Sequence, residues 1–204
     1  MGLISNGTTV FDAGSMAAGF GGSMTFIKKL TASNNSTLSF VDGASGVVLD
    51  NTYKEYLFTW KDIHPATDGA SFQFNMSIDS GSNYNVTKTT TYFTAYNYES
   101  GGTPALTYAA NVDLAQSTAF QNVNSGVGSD NDQCAVGTLH LFNPSSTTFV
   151  KHFITNGNTA ESADLSSNVF VAGYGNTTSA VDAVQFKMSS GNIDAGTITL
   201  YGIN

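Results

Sequence analysis

A chain of 204 residues can bury about 70% of its unfolded surface in one core, so it needs no covalent staple. Its single cysteine, Cys134, excludes an intramolecular disulfide. Charged residues make up only 11% of the chain, the net charge is −8, and the basic residues are seven lysines with no arginine, which leaves no basic footprint for DNA or RNA.

No run of about 20 apolar residues exists, so no helix of this chain would insert in a membrane. The opening MGLISNGTTVF has neither a basic nor an apolar leader region, and Asn6 stands where myristoylation requires Ser or Thr. The expectation is a complete, cytoplasmically made chain. Ser, Thr, Asn and Gly fill the outward positions where many proteins place Lys and Glu.

Residues 1–23 read as an irregular, glycine-rich arm. Val10 and Phe11 could begin a strand, but the glycines around Met16 and Phe20 argue against a firm one. These four apolar residues are the candidate contacts of an arm that orders against a neighbour.

From Met24 strand signals become regular. Met24–Leu30 and Thr37–Val41 are β-like, and the polar link Thr31–Ser36 reads as a hairpin loop. Val47–Leu49 follows. In Tyr53–Trp60, Tyr56, Phe58 and Trp60 share a face, and Lys61–Asp68 then reads as a break because Pro65 restricts His64 to an extended conformation. Ser71–Ile78 alternates cleanly, with Phe72, Phe74, Met76 and Ile78 on one side. Val86–Tyr98 is rich in Thr and Tyr, a β composition. Glu99–Cys134 is mostly loop, with Leu114–Phe120 readable as a helical turn or a strand.

Strands return at Val136–Phe142, Thr148–Ile154, Asn168–Tyr174, Val181–Met188 and Thr197–Tyr201, with Asn143-Pro144-Ser145-Ser146 as a hairpin turn between the first two. The final stretch alternates twice about a Ser189–Asn192 turn and reads as the closing of a sandwich. About ten short strands with almost no helical period predict an all-β fold, a jelly-roll-like antiparallel β-sandwich over residues 24–204 preceded by the short arm.

Chemistry-bearing residues are sparse. His64 stands near Asp62 and Asp68, a pattern open to a general base or metal ligand, with a backbone-tying loop beside a proline as the preferred reading. No nucleophile motif accompanies it. His140 and His152 each stand alone on a strand, without metal-ligand spacing. Asp79–Asn83 and Asp130–Asp132 are oxygen-rich, but Asx turns explain both and neither is an EF-hand loop. Cys134 reads as a packed or idle thiol. The Asn-X-Ser/Thr sequons follow from composition. Tyr92, Tyr96, Tyr98 and Tyr108 are candidate platforms for sugar rings, with sheet packing as the alternative. No cofactor or metal is expected.

The segments YLFTWKDIHPATD, FQFNMSIDSGSNYNVTKTTTYFTAYN, LAQSTAFQ, GTLHLFNPSSTTFVKHFI and VQFKMSSGNIDAGTITLYGIN resemble virion surface proteins of tailed phages, particularly marine cyanophages and their relatives. Such proteins are tail fibres, head fibres or capsid decorations. The resemblance spans about residues 24–204 and implies a jelly-roll-like sandwich, often homotrimeric, exposed on the particle beside other capsid or tail proteins and sometimes binding host glycans. It brings no catalytic motif. With no long shaft ahead of the sandwich, the expectation is a non-enzymatic knob, cap or decoration, with a glycan-binding adsorption module as the alternative.

Overall fold

The computed structural model describes residues 3–12, 15–16 and 23–204. The chain is all-β among them. β1 (Leu3–Ser5), β2 (Thr8–Asp12) and β3 (Ser15–Met16) form a small antiparallel sheet of their own. This corrects the irregular reading of the segment. Asn6 and Gly7 have φ of 46° and 76°, the paired left-handed residues of a two-residue hairpin turn that joins Ser5 to Thr8. Val10 and Phe11 fall on β2 and Met16 on β3, whereas Phe20 lies outside the described residues.

Twelve further strands carry the main fold: β4 (Met24–Thr31), β5 (Leu38–Val41), β6 (Glu55–Pro65), β7 (Ala70–Ser77), β8 (Lys88–Tyr98), β9 (Ala105–Tyr108), β10 (Gln121–Val127), β11 (Ala135–Phe142), β12 (Lys151–Glu161), β13 (Leu165–Gly175), β14 (Ala183–Met188) and β15 (Ile193–Ile203). All their pairings are antiparallel. They form two layers, a wide one ordered β4-β15-β6-β11-β12-β13-β8-β9 and a narrow one ordered β10-β7-β14-β5. The layers join at a single β10–β12 pair, Val127 with Glu161.

Period-two alternation drives the inner faces together. Tyr56, Phe58 and Trp60 from the wide layer, and Phe72, Phe74, Met76, Val184 and Phe186 from the narrow one, are at most 2% exposed. Rings pack across the gap, Phe58 on Phe186 at 5.6 Å, Trp60 on Phe72 at 5.6 Å and Phe74 on Phe153 at 4.9 Å. The buried Trp60 indole N–H donates to Asn124 Oδ1 (2.9 Å), and Asn124 Nδ2 donates to Thr159 Oγ1 (2.9 Å) and the Asn158 carbonyl (3.1 Å). Gly137 makes room for that indole, since a Cβ there would lie 2.5 Å from it.

Several element assignments change. β4 and β5 do not form a hairpin: β4 pairs with β15 and β5 with β14, so the link 32–37 carries the chain from one layer to the other. β6 does not break before Pro65. Asp62 takes φ of 56° and the pairing with β15 shifts register there, a bulge that re-aims Ile63 into the core and delays the strand end to the proline. The middle section yields β9 and β10, which weak alternation concealed, while 114–120 is neither helix nor strand apart from a bridge at Ser117. Ile78 lies just past β7 and is 42% exposed. The 143–146 turn does join a paired β11 and β12, but β12 runs on to Glu161.

Candidate functional site

The wide layer overhangs the narrow one. β10 is the last strand of the narrow layer, so the inner face of β8 and β13 continues past it, bordered by the 109–112 loop. The result is a cleft of about 400 Å³. Alternation along β8 places Tyr92, Thr94, Tyr96 and Tyr98 on its wall, and Glu161, at the end of β12, stands on the same wall in the cross-strand row Glu161–Leu165–Tyr98.

Tyr92 is buried, with its hydroxyl 2.6 Å from Ser125 Oγ, and burial pushes that phenol up to about 12. Tyr96 and Tyr98 meet edge to face with ring centroids 5.6 Å apart. Thr94 Oγ1 and Ser167 Oγ share a hydrogen bond of 3.1 Å. Burial raises the Glu161 carboxyl above its ordinary range, opposed in part by a hydrogen bond from Ser167.

Three of the four tyrosines singled out in the sequence therefore share one cleft. Tyr108 does not. It pairs across from Phe93, on the outer side of the wide layer, and its hydroxyl donates to Asp113 Oδ2 at 2.5 Å. Sequence reading missed Glu161, Asn111 and Ser125, which lie in stretches where small polar residues replace the apolar half of the alternation.

The outer face of the wide layer is a second unusual surface. Cross-strand rows run Leu57–His140–Ile154–Ala172–Thr91 and Thr59–Thr138–Asn156–Phe170–Phe93–Tyr108. Phe26, Phe93, Leu106, Val136, Ile154 and Phe170 all lie on this face and are each at least 37% exposed. Phe93 stacks on Phe170 at 5.1 Å. Ile154, Phe142, Tyr174 and Thr91 line a nearly apolar groove of about 480 Å³ there. His140 Nδ1 lies 2.5 Å from Glu55 Oε1, and His152 packs on Tyr174 on the same side.

His64 is drawn not to Asp68 but to Asp194, with Nδ1 3.5 Å from Oδ2, while Nε2 lies 3.3 Å from the Asp130 carbonyl oxygen. Asp68 instead accepts from the Ser129 backbone N–H. Cys134 borders this site, and burial, with the nearby Asp62 charge, pushes its thiol up and away from the reactive thiolate. Among the described residues no three His, Cys, Asp or Glu side chains are grouped to hold a metal. Asp79 accepts from Ser77 Oγ and from the backbone and side chain of Asn83, and these hydrogen bonds hold its carboxyl below the usual range. No family model, no curated protein and no solved structure matches this chain.

Proposed function

We propose that this chain is a non-enzymatic structural protein of a tailed-phage virion, displayed on the particle as a capsid decoration, head fibre or tail-fibre component. The observation that carries the reading is the outer face of the wide layer. Strand spacing gives that face about 34 Å by about 20 Å, on the order of 700 Å². That extent, exposed Phe, Leu, Ile and Val together with the Thr, Asn and His between them, approaches the roughly 800 Å² per partner of a standard interface.

The chain carries net charge −8, yet the two central rows of this face hold no Asp, Glu or Lys, and Glu55 in the adjoining row is paired with His140, which limits like-charge repulsion between copies that meet there. Subunit contact in a homotrimer is its use. The resemblance of residues 24–204 to phage surface proteins supports the same reading, as does an arginine-free composition that favours assembly with proteins over nucleic acid. Immunogold electron microscopy of purified virions tests it. Label over heads or tails is expected, and particles without label would refute a surface virion role.

A second reading, a module that binds host glycan during adsorption, is favoured by Tyr92, Tyr96 and Tyr98 lining one cleft. Binding on a glycan array that disappears with Tyr96→Ala is its expected result, and a blank array at millimolar sensitivity rejects it.

A further inference from the structure

The same cleft carries a more specific chemistry, independent of whether the chain is a virion protein. Glu161 is a half-buried carboxylate that lines the cleft together with three aromatic side chains, and none of the seven lysines lines it with them. Both ion pairs among the described residues lie elsewhere, His64 with Asp194 and His140 with Glu55. A carboxylate taken from water without a counter-ion is costly, and its raised proton affinity is the sign of that cost.

The rings beside it have electron-rich faces that attract cations. Ser167 is the hydrogen-bond partner of this carboxylate, and of the other polar groups on the wall the Tyr92 hydroxyl is taken by Ser125 and Thr94 by Ser167. With no Lys or His on the cleft wall and no Arg in the chain, no cationic side chain there receives an anion.

We propose that this cleft binds an organic ammonium group, quaternary or protonated primary, with the Glu161 carboxylate as counter-ion and Tyr96 and Tyr98 as its aromatic walls. A trimethylammonium head is apolar on its surface and positive at its centre, so it suits a site that offers rings and one negative charge. A volume of about 400 Å³ accommodates such a group together with the short chain or sugar ring that bears it. The ligand supplies the charge that the protein withholds.

The experiment is an NMR titration of the whole chain with choline and with its neutral isostere, in which a tert-butyl group replaces the trimethylammonium. Choline is expected to bind at least about tenfold more tightly, with shifts centred on Tyr96, Tyr98 and Glu161. Glu161→Gln and Tyr96→Leu should each weaken choline by about tenfold, whereas Tyr96→Phe, which keeps the ring, should bind as wild type. Acidification through the Glu161 titration should release choline, because protonation removes the one carboxylate on a cleft wall whose other titratable side chains are the phenols Tyr92, Tyr96 and Tyr98.

Parallel titrations with glucosamine and N-acetylglucosamine separate the sources. Binding of protonated glucosamine but not its acetylated form assigns the ammonium to a sugar, and binding of choline alone assigns it to a choline-type head. Equal binding of choline and its isostere, or choline binding unchanged by Glu161→Gln, would overturn the proposal, as would no binding of either amine in the millimolar range. Equal binding of glucosamine and its acetylated form with no response to choline would overturn it too, while leaving the glycan reading intact.

Discussion

Lys88 is the residue whose burial costs most. It is fully buried in the narrow space between layers, with Nζ donating to Asn75 Oδ1 (2.5 Å) and the Val86 carbonyl (2.8 Å), and no carboxylate accompanies it. Desolvation lowers its pKa to about 7 from the ordinary 10.5. Between those values the unfolded chain holds a proton that the folded chain sheds, so folding stability rises with pH across the window and is flat below about 7. The full effect is on the order of 5 kcal/mol as an upper bound.

Lys151, buried with Nζ on the Phe149 and Thr177 carbonyls, is lowered by desolvation as well and adds a smaller slope of the same sign. Lys88→Met is expected to raise stability by about 1–3 kcal/mol at pH 6 and to reduce the slope between pH 7 and 10.5, as read by urea unfolding at several pH values. An unchanged slope would show that Lys88 keeps its ordinary proton affinity. Nothing in the sequence singles out this lysine, because the phase of an alternating Thr-rich strand is ambiguous when both faces are polar in composition.

At the scale of elements, β12 and β13 decide what the wide layer does. Each is 11 residues long, and each sends one side chain set into the core and the other, Ile154 and Phe170 included, to the outer face. Substituting Ile154→Asp together with Phe170→Asp leaves the inner face untouched, so the fold should persist with its melting temperature shifted by only a few degrees or less, about the range of surface changes. Wild-type protein is expected to sediment as a trimer and the double variant as a monomer. A trimer that survives the charges would move the assembly surface elsewhere, and a monomeric wild type at tens of micromolar would remove it.

The bulge at Asp62 is the other element-scale feature, since without it Ile63 would leave the core and His64 would not reach Asp194. A proline was a sound reason to expect interruption near there. The interruption took the form of a bulge because Gly196, with φ of 118°, brings the β15 backbone so close that a Cβ would lie 2.5 Å from the Asp62 carbonyl oxygen.

For the whole molecule, a sandwich with one wide and one narrow layer has two distinct working surfaces: an inner overhang that is concave and holds Glu161, and an outer face on which exposed Phe, Ile and Leu stand among Thr and Asn. In the virion reading the first recognises and the second assembles, leaving residues 1–23 to contact the particle. Deleting that arm should abolish attachment of the purified chain to particles while leaving its circular dichroism and melting temperature as in wild type. Attachment by the truncated chain at wild-type level would remove the arm from that role.

The sequence alone determined the fold class and most of the core. Period-two alternation is local, so Phe58, Trp60, Phe72, Phe74 and Phe186 declare an inner face before any partner strand is known. Pairing is not local. That β4 leaves β5 for β15, or that β8 ends beside β13 and β9, depends on which edges meet after the layers close. The cleft follows the same rule: Tyr92, Tyr96 and Tyr98 were legible as one alternating set, but Tyr108 was assigned to the other face by its pairing with Phe93. Glu161 joined them only because β12, β13 and β8 run side by side in register, bringing residues more than sixty positions apart to one wall.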